Sequence, residues 1–211
     1  ILYNARVIPT PYSATVPGRA WLDAARNRAR SSSAFAFALA LALLLGGCAA
    51  APENTVAEQL DERTGTTVTR IDRAIELVST EPRGSNTDPF AYVAPFETNR
   101  MGKRELYLWV AVPDERGGAQ PPVVLAGTET LRMQPLGGDA KALTLAAFPY
   151  ANPAPWSVIN AYALDEATLR TLAGAGSIEV SVRYADQRVI RFTGAPRPAD
   201  ILQQFLRKLG L

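Results

Sequence analysis

A short apolar run, Ala34-Phe-Ala-Phe-Ala-Leu-Ala-Leu-Ala-Leu-Leu-Leu45, divides the chain into two parts of unlike character. At 12 residues it is too short to span a bilayer, which takes roughly 20 apolar residues in a helix. It suits the hydrophobic stretch of an export signal, typically about 7–15 residues. The flanks agree. Upstream lies the basic stretch Arg26-Asn-Arg-Ala-Arg30 and three serines; downstream lie Gly46, Gly47 and Cys48. The chain before this run is then leader, and everything after it has to fold outside the cytoplasm.

Leu45-Gly46-Gly47-Cys48 resembles the lipobox of bacterial lipoproteins. The resemblance implies recognition of Leu45, Gly46 and Gly47 by the export machinery. It also implies a diacylglyceryl thioether on Cys48, cleavage just before that residue, and palmitate-type acylation of the new amino group. Small side chains beside the scissile bond admit the cleavage enzyme, and the thiol is the nucleophile that takes the lipid. Two or three acyl chains hold far more firmly than one. An uncleaved membrane helix continuing through Ala51 is the competing reading; the two glycines and Pro52 oppose it. Ala49 rather than Asp after the cysteine implies, by the same resemblance, onward transport to the outer membrane. The protein is expected on the inner leaflet, facing the periplasm.

Four segments follow. Residues 1–25 show no periodicity and are expected to be unstructured or untranslated, with Val16 a candidate start. Residues 26–47 are the signal peptide, 48–54 a lipidated tether, and 55–211 a single periplasmic domain. Charge separates along the same boundary. Residues 1–47 hold five arginines and one aspartate, whereas 17 basic and 19 acidic residues remain from Cys48 onward. A body so close to neutral is a poor match for phosphate backbones, so no nucleic acid partner is expected.

The sequence has no histidine and one cysteine, which lies in the signal. No intramolecular disulfide can form. Histidine-dependent nucleophilic catalysis and His/Cys zinc sites are excluded. No cofactor, metal or catalytic residue is expected.

Along the body, β-branched and alternating segments dominate. Asn54 is predicted to cap a brief helix over Thr55–Arg63, ended by Gly65. Strands are predicted over Thr66–Asp72 and Ala74–Thr80, with a helix through Arg70–Val78 as the competitor. Phe90–Phe96 and Glu105–Pro113 follow, joined by a turn in which Gly102 takes a positive φ. In the second of these, Leu106, Leu108, Val110 and Val112 alternate with Tyr107, Trp109 and Ala111. Both faces are apolar, so the strand is expected to be central.

A hairpin around Gly127, a strand over Ala142–Phe148 and a Pro-rich loop over Pro149–Pro155 come next. Ser157–Leu164 reads as a strand, and Asp165 as the cap of a helix through Ala173. Strict alternation marks the hairpin of Ser177–Tyr184 and Arg188–Phe192. Asp200 is expected to cap an amphipathic helix over Ile201–Lys208. The fold class is therefore mainly β (α+β): an antiparallel sheet or a β-sandwich with two or three short helices.

Four blocks, Leu60-Asp-Glu-Arg-Thr-Gly65, Glu81-Pro-Arg83, Asn99-Arg-Met-Gly102 and Tyr107-Leu-Trp-Val110, resemble blocks of uncharacterised lipoproteins from proteobacteria, xanthomonads among them. The resemblance implies export and lipidation, and no particular activity.

Candidate chemistry is sparse. The adjacent pairs Asp61-Glu62, Asp114-Glu115 and Asp165-Glu166 diverge on any regular element and cannot grip one proton or metal; caps and turns explain them better. Arg183, Arg188 and Arg191 on the last hairpin suit a solvated face or a protected edge more than an anion site. Tyr150 and Trp156, flanking the Pro-rich loop, are the candidate ligand contacts, since such rings can stack on sugars or peptides; packing onto the core is their commoner role. The expected function is an outer-membrane-anchored lipoprotein that binds an envelope protein or glycan or plays a structural part, and is not an enzyme. The alternative is a carboxylate-based hydrolase of envelope glycans, needing two distant acids in one pocket. Membrane lipid, through acylated Cys48, is the one partner implied directly.

Overall fold

The computed structural model describes residues 54–81, 90–114 and 117–211. The signal, Cys48 and the tether up to residue 53 lie outside the described residues. From Glu53 onward the chain is one compact unit.

Its elements run β1 (Val56–Asp61), β2 (Thr66–Ile71), β3 (Ile75–Ser79), β4 (Phe90–Arg100), β5 (Lys103–Pro113), β6 (Val123–Ala126), β7 (Glu129–Thr130) and β8 (Gln134–Gly137). A 3-10 turn over Ala140–Leu143 precedes β9 (Ser157–Leu164), α1 (Glu166–Gly174), β10 (Ile178–Arg183), β11 (Val189–Gly194) and α2 (Ile201–Leu209). All described strands join one antiparallel sheet, ordered β7-β6-β10-β11-β3-β4-β5-β9-β8. β2 lies against β4 as well, and β1 pairs with β2. The chain is thus mainly β, a curled antiparallel sheet with two helices.

β5 is the central strand that its sequence predicts. Every residue from Tyr107 to Pro113 is buried, because β4 and β9 flank it and both of its faces are covered. β4 and β5 meet at Met101-Gly102, where both residues have positive φ (52° and 85°), as a two-residue hairpin turn of the twisted kind requires.

The helices cover the face that carries Leu108 and Val110. Arg104, four residues before Leu108 and so on the same face, donates to the Leu209 carbonyl at the end of α2 (2.8 Å). The same guanidinium binds buried Glu97 through Nε and Nη2 (2.8 and 2.6 Å). Ile201, Leu202, Phe205, Leu206 and Leu209 form the buried stripe of α2. Gln203 ties α2 to α1 through the Ala173 carbonyl (3.0 Å). Asp165 caps α1, accepting from the Thr168 amide (2.7 Å). Asp200 precedes α2 but makes no side-chain bond to its amides; it accepts from Gln204 instead.

Two expected elements also fail. The stretch predicted as a helix after Asn54 is strand β1, paired with β2 from Val56↔Ile71 to Asp61↔Thr66. Its sequence, Val-Ala-Glu-Gln-Leu-Asp, has no strict alternation, and pairing with the threonine-rich β2 overrides its helix propensity. Ala142–Phe148 is no strand either. Asp139 caps the 3-10 turn through the Lys141 amide (2.9 Å), and Thr144 takes φ 57°. Leu143 and Leu145 then plug the core. The strand that pairs with β9 in this region is β8, around Pro135.

Candidate functional site

The most unusual feature of the sheet is a break along one side of β4. β2 and β3 follow one another along that side, but out of step. Arg70 faces Phe96; five residues later Ile75 faces Val93, only three residues back. Two extra residues therefore bulge out between Ile71 and Ile75. Pro95 lies opposite the break. Proline has no N–H to donate to a ladder, so a continuous pairing here would be incomplete in any case.

The carbonyl of Pro95 is satisfied from elsewhere. The Tyr150 hydroxyl donates to it at 2.7 Å. The Tyr150 ring packs against Phe96 and Trp109, with centroids 6.4 and 5.3 Å away, and the Arg70 guanidinium lies over it at 5.6 Å. Burial pushes the phenol far above its ordinary pKa, so it stays a neutral donor at all physiological pH.

The last residue of the expected tether and the one after it hold the bulge itself. Asn54 exchanges two hydrogen bonds with the Arg73 backbone, accepting from its N–H and donating to its carbonyl, both at 2.9 Å. The Asp72 amide donates to the Thr55 carbonyl (2.7 Å), and the Thr55 hydroxyl to the Asp72 carboxylate. Arg70 donates to the Asp72 carbonyl (3.1 Å). Asn54 is thus a strand-bulge clamp rather than a helix cap.

Beside the bulge opens a cavity of about 580 Å³, inside the usual range for small-ligand pockets. Register explains its lining. Glu76 faces Tyr92 across β3–β4, Ala94 faces Trp109 across β4–β5, and Arg70 faces Phe96 across β2–β4. Side chains two apart on a strand share a face, so Arg70, Glu76, Tyr92 and Trp109 project from the same side of the sheet. Asp72 and Arg73 on the bulge add charge beside them; Tyr150, Pro149 and Pro153 of the Pro-rich loop complete the lining. Two buried N–H groups here, Arg70 Nε and Trp109 Nε1, have no hydrogen-bond acceptor among the described residues. Trp109 is 1 % exposed.

Of the two aromatic candidates, Tyr150 lines this cavity and Trp156 does not. Trp156 is exposed on the surface, and its carbonyl accepts from the Asp114 amide (3.0 Å). Leu45, Gly46, Gly47 and Cys48 lie outside the described residues. Sequence reasoning missed Arg70, Asp72, Arg73, Glu76 and Trp109 as members of one site. The signal was available in Pro95, a proline within an otherwise regular strand pattern, which marks a ladder break.

The first acid of each adjacent pair is taken up by backbone amides. Asp61 accepts from the amides of Ala146 (2.8 Å) and Arg63 (3.1 Å), and the Ala146 bond is the main cause that holds its carboxyl below the ordinary range. The cap bond from Thr168 does the same for Asp165. Asp114 accepts from the Ala119 amide (3.0 Å). Glu105 is lowered chiefly by Lys103. On the last hairpin, Arg191 pairs with Glu179 and Arg188 with Asp186, each at 3.7 Å, and Arg188 also lies over the Tyr184 ring. Among the described residues no group of three or more acidic or cysteine side chains is placed to hold a metal. No helix among them is long and apolar enough to cross a membrane.

Compared with family models, curated proteins and solved structures, the chain gives no match. Its functional reading therefore rests on its own residues.

Proposed function

We propose that this chain is a lipid-anchored binding protein of the cell envelope, held in the outer membrane by acylated Cys48 and using the cavity at the sheet break to engage an envelope component. The observation that carries the binding role is the cavity: an aromatic wall, a rim of both charge signs, and buried donors without acceptors gathered at a bulge. Ladder breaks of this kind are common beside functional sites because they re-aim side chains.

The anchor and the cavity support one another. Asn54, which clamps the bulge, is six residues beyond Cys48. Six residues span at most about 20 Å. An acylated Cys48 therefore keeps the rim within that reach of the bilayer surface, and the lipid restricts which molecules the cavity meets. The domain works by holding a ligand in place rather than by turning it over.

The anchoring half is tested by Cys48→Ser. It is expected to abolish palmitate incorporation and leave an uncleaved precursor; unchanged labelling or processing refutes the anchor. The binding half is tested by crosslinking from the Cys48-acylated protein in intact cells, where recovery of no specific envelope component counts against it.

A hydrolase acting on envelope glycans is a second reading, favoured by one observation: Asp72 and Glu76 line the same cavity. It requires that Asp72→Asn and Glu76→Gln each remove a glycan-cleaving activity of the wild-type protein.

A further inference from the structure

We infer that the cavity at the β2–β3 bulge is a subsite for an uncharged, hydroxyl-rich sugar ring; this rests on the binding role proposed above and names its ligand class. The charge of the lining decides between ligand classes. Arg70 and Arg73 stand beside Asp72 and Glu76, so the two cations are balanced by two anions. An anionic ligand would meet two carboxylates, and a cationic one two guanidinium groups. A sugar hydroxyl both donates and accepts, so it serves each of the four without bringing an unpaired charge.

The walls fit the same ligand. The half-buried Tyr92 ring and the rings of Pro149 and Pro153 are rigid and apolar, suited to the C–H face of a pyranose. Beneath them lie the N–H groups of Arg70 Nε and Trp109 Nε1. A buried donor left without an acceptor is destabilising, so a ligand oxygen that reaches either one recovers a penalty already present. Among these groups, Trp109 reports most directly on occupancy.

The test uses the acylated protein with ¹⁵N-labelled indoles, in a detergent without a sugar headgroup such as lauryldimethylamine oxide. From Cys48 onward the chain has two tryptophans, Trp109 and Trp156, and gives two indole signals. Trp156→Phe, at an exposed position, assigns them by elimination. The probes are chitotetraose and maltotetraose, with acetate and inorganic phosphate as anions. The expected result is a saturable shift of the Trp109 signal alone with one of the neutral oligosaccharides, near about 1 mM as befits one small site. Glu76→Ala and Arg73→Ala, both at exposed positions, are expected to weaken it about tenfold.

Silence of Trp109 towards both oligosaccharides, a response to acetate or phosphate instead, or an oligosaccharide response unaltered in both variants overturns the inference. Envelope crosslinking that captures a protein while the sugars remain silent refutes the sugar subsite and leaves the binding role standing. Failure of the crosslinking with a Trp109 response intact leaves the sugar subsite standing and removes only the capture of a specific envelope component.

Discussion

The Tyr150 hydroxyl donates to the carbonyl of Pro95, 55 positions earlier, at 2.7 Å, and so closes the gap that the β2–β3 bulge leaves in the sheet. The same device recurs: Tyr162 donates to Pro122 (2.8 Å) and Tyr184 to Pro113 (2.7 Å). In each case a buried phenol satisfies a proline carbonyl.

Tyr150→Phe keeps the ring and removes only the donor. The Pro95 carbonyl is then buried without a partner, at a cost of about 1–3 kcal/mol. Urea unfolding is expected to show this loss with an unchanged slope. A loss under about 0.5 kcal/mol would mean that water replaces the hydroxyl and the gap is not sealed.

Alkaline pH tests the same burial. Burial first, and then Glu105, pushes Tyr107 up to about 12, and burial raises Tyr150 and Tyr162 further. An unfolded tyrosine titrates near about 10. Below that pH both states hold the proton and stability is flat. Above it the unfolded chain ionises first, so stability falls by roughly 1.4 kcal/mol per pH unit for each such tyrosine. The contribution of Tyr107 to this slope ends near its folded value; those of Tyr150 and Tyr162 continue. Unfolding measured from pH 8 to 12 is expected to show the decline, and Tyr150→Phe to reduce its slope by about one third.

Which parts of this were legible in the sequence follows from the range of the contacts. The β10–β11 hairpin is local: Ile178–Arg183 alternates strictly and its partner strand is a turn away. β5 was legible as a central strand because both of its faces are apolar, and Asp165 as a cap because its bond spans three residues. Strand β1 was not, since its identity depends on a partner. The cavity was the least legible element. Asn54 reaches Arg73 across 19 positions and Tyr150 reaches Pro95 across 55, and no periodicity encodes such pairings. Tyr150 was singled out as a loop aromatic; that it would share a site with Arg70 and Trp109 needed the register.

The Glu97–Arg104 pair joins the sheet to the end of α2. Glu97 is 5 % exposed, while the Arg104 side chain is about half in water (46 %). Arg104→Met strands a buried carboxylate and frees the Leu209 carbonyl. A loss of about 2–4 kcal/mol is expected, at or below the usual cost of breaking a buried pair because Arg104 is partly solvated. The double variant Glu97→Leu with Arg104→Met is expected to recover most of it, because the stranded charge is gone. If the double variant is as unstable as Arg104→Met, the bond to Leu209 rather than the ion pair is what matters.

Gly194 ends β11 where that strand meets β3, a contact resting on Phe192↔Ser79 and Thr193↔Val78. A methyl group there would sit 2.7 Å from the Glu76 carbonyl oxygen and 3.3 Å from the Leu77 Cα. Both are backbone atoms, so relief requires the strands to part rather than a side chain to turn. Gly194→Ala is therefore expected to cost about 1–3 kcal/mol, the range for overpacking. Because Glu76 belongs to the cavity rim, the displaced strand should also disturb the Trp109 indole signal. Gly176→Ala is the control: nothing lies within 4 Å of its added methyl, and its effect should stay within about 0.5 kcal/mol. Equal effects of the two substitutions would show that β11 and β3 are less closely apposed than their pairing implies.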